Sequence, residues 1–412
     1  MTEDNFVKTI TENNGEIYIV GGWVRDMIRN KPAKDKDYVV CKLTENLFCQ
    51  LFPQAQKVGK SFPVFLLNIN NKKCEIAFAR TEEKKGLGYK GFTTIYTPSI
   101  TIENDLWRRD TRMNSIALKL PERLIIDPFN GTDDINAKRI QATSIHFSED
   151  PVRALRAARQ AAELDFFVEE STLKLMYKCA EELQAEPGER IVNELKRALA
   201  AKKPTNFFIY LHKANLLQII FPEIFALIGK TQPAFYHPEG DSFNHTMLAL
   251  KQISQLTDNI NTRFAALAHD LGKGLTPAAM LPHHYEHEET GLTALANWNK
   301  RTTLPKLWLN SAQFVIKEHM RAARLQKPAK IADMLAAIEK NPLGIDEFCK
   351  IIKVDNKELP NYLQDIHFIL KLFHNINMSN CPAQLQGKQI ADWLKNERTK
   401  LVNEYLHSKT LQ

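Results

Sequence analysis

The apolar, β-branched run Ile17-Tyr18-Ile19-Val20 ends abruptly at Gly21-Gly22, and no other stretch constrains the fold of this chain as strongly. The run reads as a buried strand and the glycine pair as the tight turn that closes it. Two glycines let a backbone approach a phosphate closely, and Arg25, in the turn Gly-Gly-Trp-Val-Arg-Asp over 21–26, is placed to grip one. Lys34-Asp35-Lys36-Asp37-Tyr38-Val39-Val40 then opens a second strand. Strand alternation predicts that Asp35 and Asp37 share one face. Two carboxylates side by side repel unless a cation lies between them, and a Mg²⁺ pair is the usual solution. A dimetal carboxylate site beside a glycine phosphate turn predicts phosphoryl or nucleotidyl transfer. The competing reading, a solvated charge cluster at a strand end, is disfavoured by the turn ahead of it.

Further strand signals fall at 64–67, 74–78 and 125–126, and Glu75 on one of them is positioned to add a third carboxylate to the pair. After Asp150 the periodicity becomes helical and stays so to the end. The predicted fold class is α+β: a small head of mixed sheet and helices, followed by a long all-α body. A chain of 412 residues with 25% charged residues has room for two to four domains and a substantial core. The formal net charge of +7 favours a polyanionic partner, with a solvated basic surface as the alternative. No apolar run reaches the roughly 18 residues that would span a bilayer, and the polar, acidic start Met1-Thr2-Glu3-Asp4-Asn5 is unlike a targeting peptide. The six cysteines lack Cys-x-x-Cys spacing and read as reduced thiols, so a cytoplasmic protein is expected.

The segment 80–89 is a charged loop punctuated by Gly86 and Gly88, suited to moving during a cycle. Trp107-Arg108-Arg109-Asp110-Thr111-Arg112-Met113-Asn114 sets cations beside an Asp and an Asn, which suits a triphosphate and a ribose as well as it suits a solvated helix start. Asp150-Pro151 begins a helix on which Arg153, Arg156 and Arg159 share one broad face. Three arginines near a helix N-terminus oppose the macrodipole and call for an anion. An Asp beside an Arg also matches a base pattern. Cytosine and adenine each present an amino donor next to a ring-nitrogen acceptor, whereas guanine and uracil present the reverse. Asp before Pro is equally a plain helix cap, and both readings stand at this point.

Seven histidines (237, 245, 269, 283, 284, 287 and 319) cluster in the helical body. Among them the apolar stretch 264–268 ends in His269-Asp270 and a glycine-rich turn, a plausible divalent-metal site with His245 as a further ligand. Residues 331–412 add amphipathic helices but no chemical signal.

Taken in order, these motifs resemble the class II tRNA nucleotidyltransferase and poly(A) polymerase family, closest to bacterial CCA-adding enzymes with an HD domain. The match runs through Gly-Gly-Trp-Val-Arg-Asp, Asp35-Lys36-Asp37, Gly59-Lys60-Ser61-Phe62-Pro63, Ala79-Arg80-Thr81-Glu82, Arg108-Arg109-Asp110, Asp127-Pro128-Phe129-Asn130-Gly131, Glu149-Asp150-Pro151-Val152-Arg153 and 268–274. The resemblance implies a head over 1–137, a base-selecting and tRNA-binding region over 138–225, an HD-type domain over 226–340 and a helical tail over 341–412. It implies that Asp35 and Asp37 bind catalytic Mg²⁺ with Glu75 in support, and that Gly22, Arg25 and Arg109 hold the triphosphate. Asp150 and Arg153 would read the base, with Arg156 and Arg159 on the nucleotide beside them. CTP, ATP and the tRNA 3′ end and acceptor arm are the implied partners, without a membrane.

Two narrower outputs belong to the same resemblance, A-only addition and polyadenylation. Gly59 to Pro63 stands where poly(A) polymerases carry an arginine-rich stretch, which favours CCA addition. A metal-dependent phosphohydrolase acting on RNA ends, using Ni²⁺ or Mn²⁺ at His245, His269 and Asp270, is the reading from another class. Trp23, Arg112 and Ser115 depart from the family pattern, and Met320 follows His319 where relatives carry an acid.

Overall fold

The structure is a computed structural model that describes residues 1–33, 35–58, 62–86, 91–235 and 237–410. Lys34, Gly59-Lys60-Ser61 and, in the charged loop, Gly88-Tyr89 therefore lie outside the described residues. The chain divides into two compact units, Met1–Ile220 and Phe221–Gln412.

The first unit is built on a mixed seven-stranded sheet. Its strands are β1 (Glu16–Val20), β2 (Asp37–Cys41), β3 (Gln56–Val58), β4 (Val64–Ile69), β5 (Lys72–Phe78), β8 (Ala117–Leu120) and β9 (Leu124–Ile126), in the order β3-β4-β5-β2-β1-β8-β9. A separate antiparallel hairpin pairs β6 (Thr81–Lys84) with β7 (Phe92–Ile95) where a loop was expected. Within the sheet β2 and β5 run parallel and every other neighbour is antiparallel.

Both faces of the sheet are covered, which explains why β1 and β2 are almost continuously apolar rather than alternating. Tyr18, Val20, Val39 and Cys41 pack on one face with Ile102 and Leu106 of the helix Ile102–Trp107. On the other, Phe6, Phe48, Phe52, Phe65 and Phe78 form a chain of aromatic contacts with centroids 4.9–5.6 Å apart from Phe6 to Phe78. The helix Val152–Leu164 follows, its alanines fully buried, and the unit ends in short helices.

The second unit is all helical. Ser242–Leu256, Ile260–Ala268, His287–Thr302, Lys306–Arg324 and Ile345–Asn356 surround a core in which Phe264 stacks on Trp308 at 4.8 Å and packs against the fully buried Trp298. Gly272 makes one close approach possible. A Cβ there would lie 1.9 Å from the carbonyl oxygen of His287, so only glycine lets the turn after Asp270 press on that helix. No helix is long and apolar enough to cross a membrane among the described residues.

Candidate active site

A pocket of about 450 Å³ opens in the first unit beside the end of β1, the start of β2 and the middle of β5. Its lining includes Gly21, Gly22, Asp37, Glu75, Arg109, Asp150, Arg153 and Arg156. Most of the expected site residues therefore come together. Gly21 takes a φ of +72°, and a Cβ there would sit 3.5 Å from an Arg109 nitrogen, so the turn holds the backbone close beneath that guanidinium.

Asp37 opens β2 and is directly opposite Glu75 on parallel β5. Enclosure in the pocket and the Glu75 carboxylate push Asp37 up to about 6, with Arg109 pulling the other way and Asp35 adding to the rise. No lysine or arginine is ion-paired with Asp37 or Glu75 among the described residues, so the repulsion between them is left for something else to relieve. Asp35 departs from expectation: it precedes the strand and does not line the pocket. On the β1 side the ladder stops at this point: Val20, the last residue of β1, pairs with Asp37, and beyond it the chain turns into Gly21-Gly22, so residues 35 and 36 have no β1 partner.

The arginines are fixed by carboxylates, some of which, such as Asp105, no motif singled out. Asp105, fully buried, accepts from Arg108 Nη2 at 2.6 Å and Arg109 Nη2 at 2.8 Å. Burial opposes its charge, but the two guanidiniums hold it well below the usual carboxylate range. Asp110 accepts from Arg156 Nε at 2.9 Å, Gln160 Nε2 at 3.0 Å and the Thr111 amide at 2.8 Å, and is likewise held low against its burial, chiefly by Arg156. Arg25 does not line the pocket: it donates to Asn114 Oδ1 at 3.0 Å and to Asp26. Arg159 is also outside, engaged by Glu194 and Glu163. The anions that three arginines on one helix face require are thus largely the protein's own.

Asp150 does two jobs. Its Oδ1 accepts from the Val152 amide at 3.2 Å as a cap, and Arg190 Nη2 reaches both its oxygens at 3.2 and 3.4 Å. Arg153 donates to the His146 carbonyl at 2.7 Å and stands 3.6 Å from Glu82 of the hairpin. Arg190, 40 residues from Asp150, carried no sequence signal linking the two.

The second unit gathers the histidines. His245 Nε2 and His269 Nε2 lie 3.3 Å apart, with Asp270 Oδ2 at 3.6 and 3.2 Å from them. Asp355, on the helix Ile345–Asn356, completes the group at 3.2 Å from His245 and 3.5 Å from His269. A segment with no chemical signal in the sequence, assigned to the tail, thus supplies a carboxylate to this cluster. His287 Nε2 and His319 Nε2, also 3.3 Å apart, each stand 3.5 Å from Asp270 Oδ1. Burial disfavours charge on His269, yet Asp270 and Asp355 raise it to about 10.

The residue patterns match known families along most of the chain. A poly(A) polymerase head domain matches residues 17–141, a probable RNA- and SrmB-binding site of polymerase A matches 165–228, and an HD domain matches 242–358. A protein of Mannheimia succiniciproducens called multifunctional CCA protein is 40% identical, covering 83% of this chain and 84% of its own length. One of the same name from Nitrosococcus oceani is 37% identical, covering 96% and 99%. The chain belongs to the multifunctional CCA protein family. Among solved structures, an apo CCA-adding enzyme superposes with a TM-score of 0.65 at 21% identity, over 98% of this chain and 93% of that one. The Bacillus stearothermophilus CCA-adding enzyme with CTP gives 0.64 at 19%, over 97% and 92%, so the fold of these members is shared. Both the nucleotidyltransferase head and the HD domain belong to metal-dependent families.

Proposed function

We propose that this protein adds C, C and A to the 3′ end of tRNA from CTP and ATP without a nucleic-acid template. The observation that carries the reading is one pocket wall bearing Asp150 and Arg153 above the paired carboxylates Asp37 and Glu75. We assign catalysis to the head over 1–137, base selection and tRNA binding to 138–225, and the HD-type domain to a segment from 226 that extends at least to Asp355.

Asp37, Glu75 and, from the preceding segment, Asp35 would hold Mg²⁺. The unrelieved repulsion between Asp37 and Glu75 fits a cation there. When bound, the metal supplies Lewis-acid activation of the tRNA 3′-hydroxyl and neutralises charge on the departing pyrophosphate. Gly22 and Arg109 take the triphosphate, the first by letting the backbone approach and the second by its charge, while Arg25 orders the turn through Asn114. Asp150 accepts from the amino group of cytosine or adenine, and Arg153 donates to the ring nitrogen beside it. Arg190 and the Val152 amide fix the Asp150 carboxylate, and the His146 carbonyl fixes Arg153, so the pair meets the base already oriented. Arg156 lies on the same wall, anchored by Asp110; Arg159 supports the helix instead of touching the nucleotide. The basic body takes the acceptor arm, and we assign the protein to the cytoplasm as the compartment that suits these substrates.

The test uses tRNA transcripts ending before CCA, after C and after CC, with Mg²⁺ and each nucleotide. All three grow to one CCA end and stop. Extension of the CC-ended transcript alone overturns the reading in favour of A-only addition, and a long A ladder in favour of polyadenylation. Arg153→Ala in the same assay relaxes rejection of UTP and GTP by about 1–3 kcal/mol. Unchanged rejection would return Asp150-Pro151 to a helix cap.

The cluster around Asp270 favours a second activity, phosphohydrolysis at RNA ends, with His245, His269, Asp270 and Asp355 holding a divalent cation such as Ni²⁺ or Mn²⁺. Their fit rests on a buried Asp270 whose Oδ2 stands by His245, His269 and the Lys273 ammonium and whose Oδ1 lacks a hydrogen-bond partner. Phosphate release from a phosphomonoester, supported by added Ni²⁺, falls at least about a hundredfold in His269→Ala, some 3 kcal/mol. Equal release by the two proteins, or none by either, rejects the assignment.

A further inference from the structure

Lys36 stands between Asp35 and Asp37 in the chain, yet its ammonium is engaged elsewhere. Its Nζ meets Glu3 Oε1 at 2.8 Å and Oε2 at 2.7 Å, and it lies 5.0 Å from the centroid of the Trp23 ring. The Tyr38 hydroxyl donates to the same Glu3 Oε1 at 2.5 Å. Residues 36 and 38 alternate with 37, so they turn to one face while Asp37 shares the other with Val39 and Cys41. Among the described residues no ion pair joins Lys36 to either aspartate.

Glu3 is held firmly. It sits in the first turn of the helix Glu3–Glu12, whose Phe6 and Ile10 are fully buried, and Phe6 meets the Tyr38 ring edge-on at 5.5 Å. The helix start is tied to the turn between β4 and β5. The Glu3 amide donates to Asn70 Oδ1 at 3.1 Å, and the Asn70 amide donates to the Met1 carbonyl at 3.0 Å. Enclosure opposes charge on Glu3, but the donors Lys36 and Tyr38 hold it below the usual carboxylate range.

Trp23, one of the departures from the family pattern, lies on the helix Gly22–Ile28 that follows the glycine turn. Its ring offers the ammonium a face. The contact falls just beyond the point where the β1–β2 ladder stops at Val20 and Asp37. Glu3 and Trp23 therefore grip, from two sides, a segment that has no β1 partner.

We propose that Glu3 and Trp23 are positioning residues for the metal-binding carboxylates. They keep the Lys36 ammonium on the far face, so that it does not neutralise Asp35 or Asp37 in place of a divalent cation. They also fix the segment that carries Asp35. An ammonium released beside these carboxylates competes directly for their charge. The proposal rests on the assignment of Mg²⁺ to Asp35, Asp37 and Glu75.

The test reads Mn²⁺ affinity of the full chain by electron paramagnetic resonance, with the isotherm of Asp37→Ala subtracted to leave the head site. The Mg²⁺ dependence of incorporation is measured alongside. Glu3→Gln weakens Mn²⁺ binding and raises the Mg²⁺ half-saturation by about tenfold, while kcat at saturating Mg²⁺ stays within about twofold. Adding Lys36→Met to Glu3→Gln restores both to within about threefold, because the competing ammonium is gone. Trp23→Ala weakens binding in the same direction, whereas Trp23→Phe keeps a ring and does not; this pair guards against a folding defect in the first variant. Unchanged metal dependence in Glu3→Gln overturns the proposal. A loss that Lys36→Met fails to relieve also overturns it, since Glu3 then serves packing alone. An Asp37→Ala isotherm identical with the parent's overturns the metal assignment itself.

Discussion

Asp37→Ala lowers nucleotide incorporation by at least about a thousandfold, roughly 4 kcal/mol of transition-state stabilisation, while tRNA binding stays within about twofold. The asymmetry follows from position. Asp37 lines the pocket opposite Glu75, and its proximity to that second carboxylate fits positive charge drawn between them, whereas the acceptor arm is assigned to the basic body. Single-turnover addition to a tRNA lacking its 3′ end separates the two quantities when filter binding is measured alongside. Asp37→Asn keeps the shape but not the charge, and loses incorporation to a similar extent. Undiminished incorporation in either variant removes the carboxylates from the chemistry.

The second large effect is on stability. Asp105→Ala weakens the first unit by about 3–5 kcal/mol, because Arg109 is left without its counter-charge and Arg108 keeps only Glu82. Hydrogen exchange read over the peptides of the head registers this without interference from the second unit. Acid adds a check on sign. Asp105 and Asp110 are held below their unfolded value, so their contribution is complete above about pH 4 and is lost as pH falls through their folded values. Asp105→Asn flattens that acid-side decline, and an unaltered slope would mean the carboxylate does not stabilise the fold.

Much of the site was legible because its chemistry sits in short motifs. A strand closed by two glycines, an Asp pair and an Asp-Pro-x-Arg helix start each have a local reason to look as they do. What sequence spacing hid is of two kinds. Register is one: alternation placed Asp35 with Asp37 on a strand, but β2 starts at Asp37, where its β1 partner ends at Val20. Long-range pairing is the other. Asp355 joins His245 across 110 residues, and Arg190 meets Asp150 across 40, distances over which no periodicity carries information. Arg159 was misread for a related reason, since its partners Glu163 and Glu194 appear only once two helices pack. His287 and His319 had only composition to recommend them until the Gly272 turn pressed the chain against the His287 helix.

The pocket draws its lining from Val20 through to Arg156, and this has a consequence for how the protein is made on the ribosome. The glycine turn and Asp37 emerge first, and Glu75 reaches its place only once β5 is laid beside β2. Arg153 and Arg156 follow, and Arg190, which steadies Asp150, later still. On the roles proposed above, a nascent chain owns its reactive centre before it owns the means of choosing between nucleotides, and fidelity is the last property synthesis confers on the first unit.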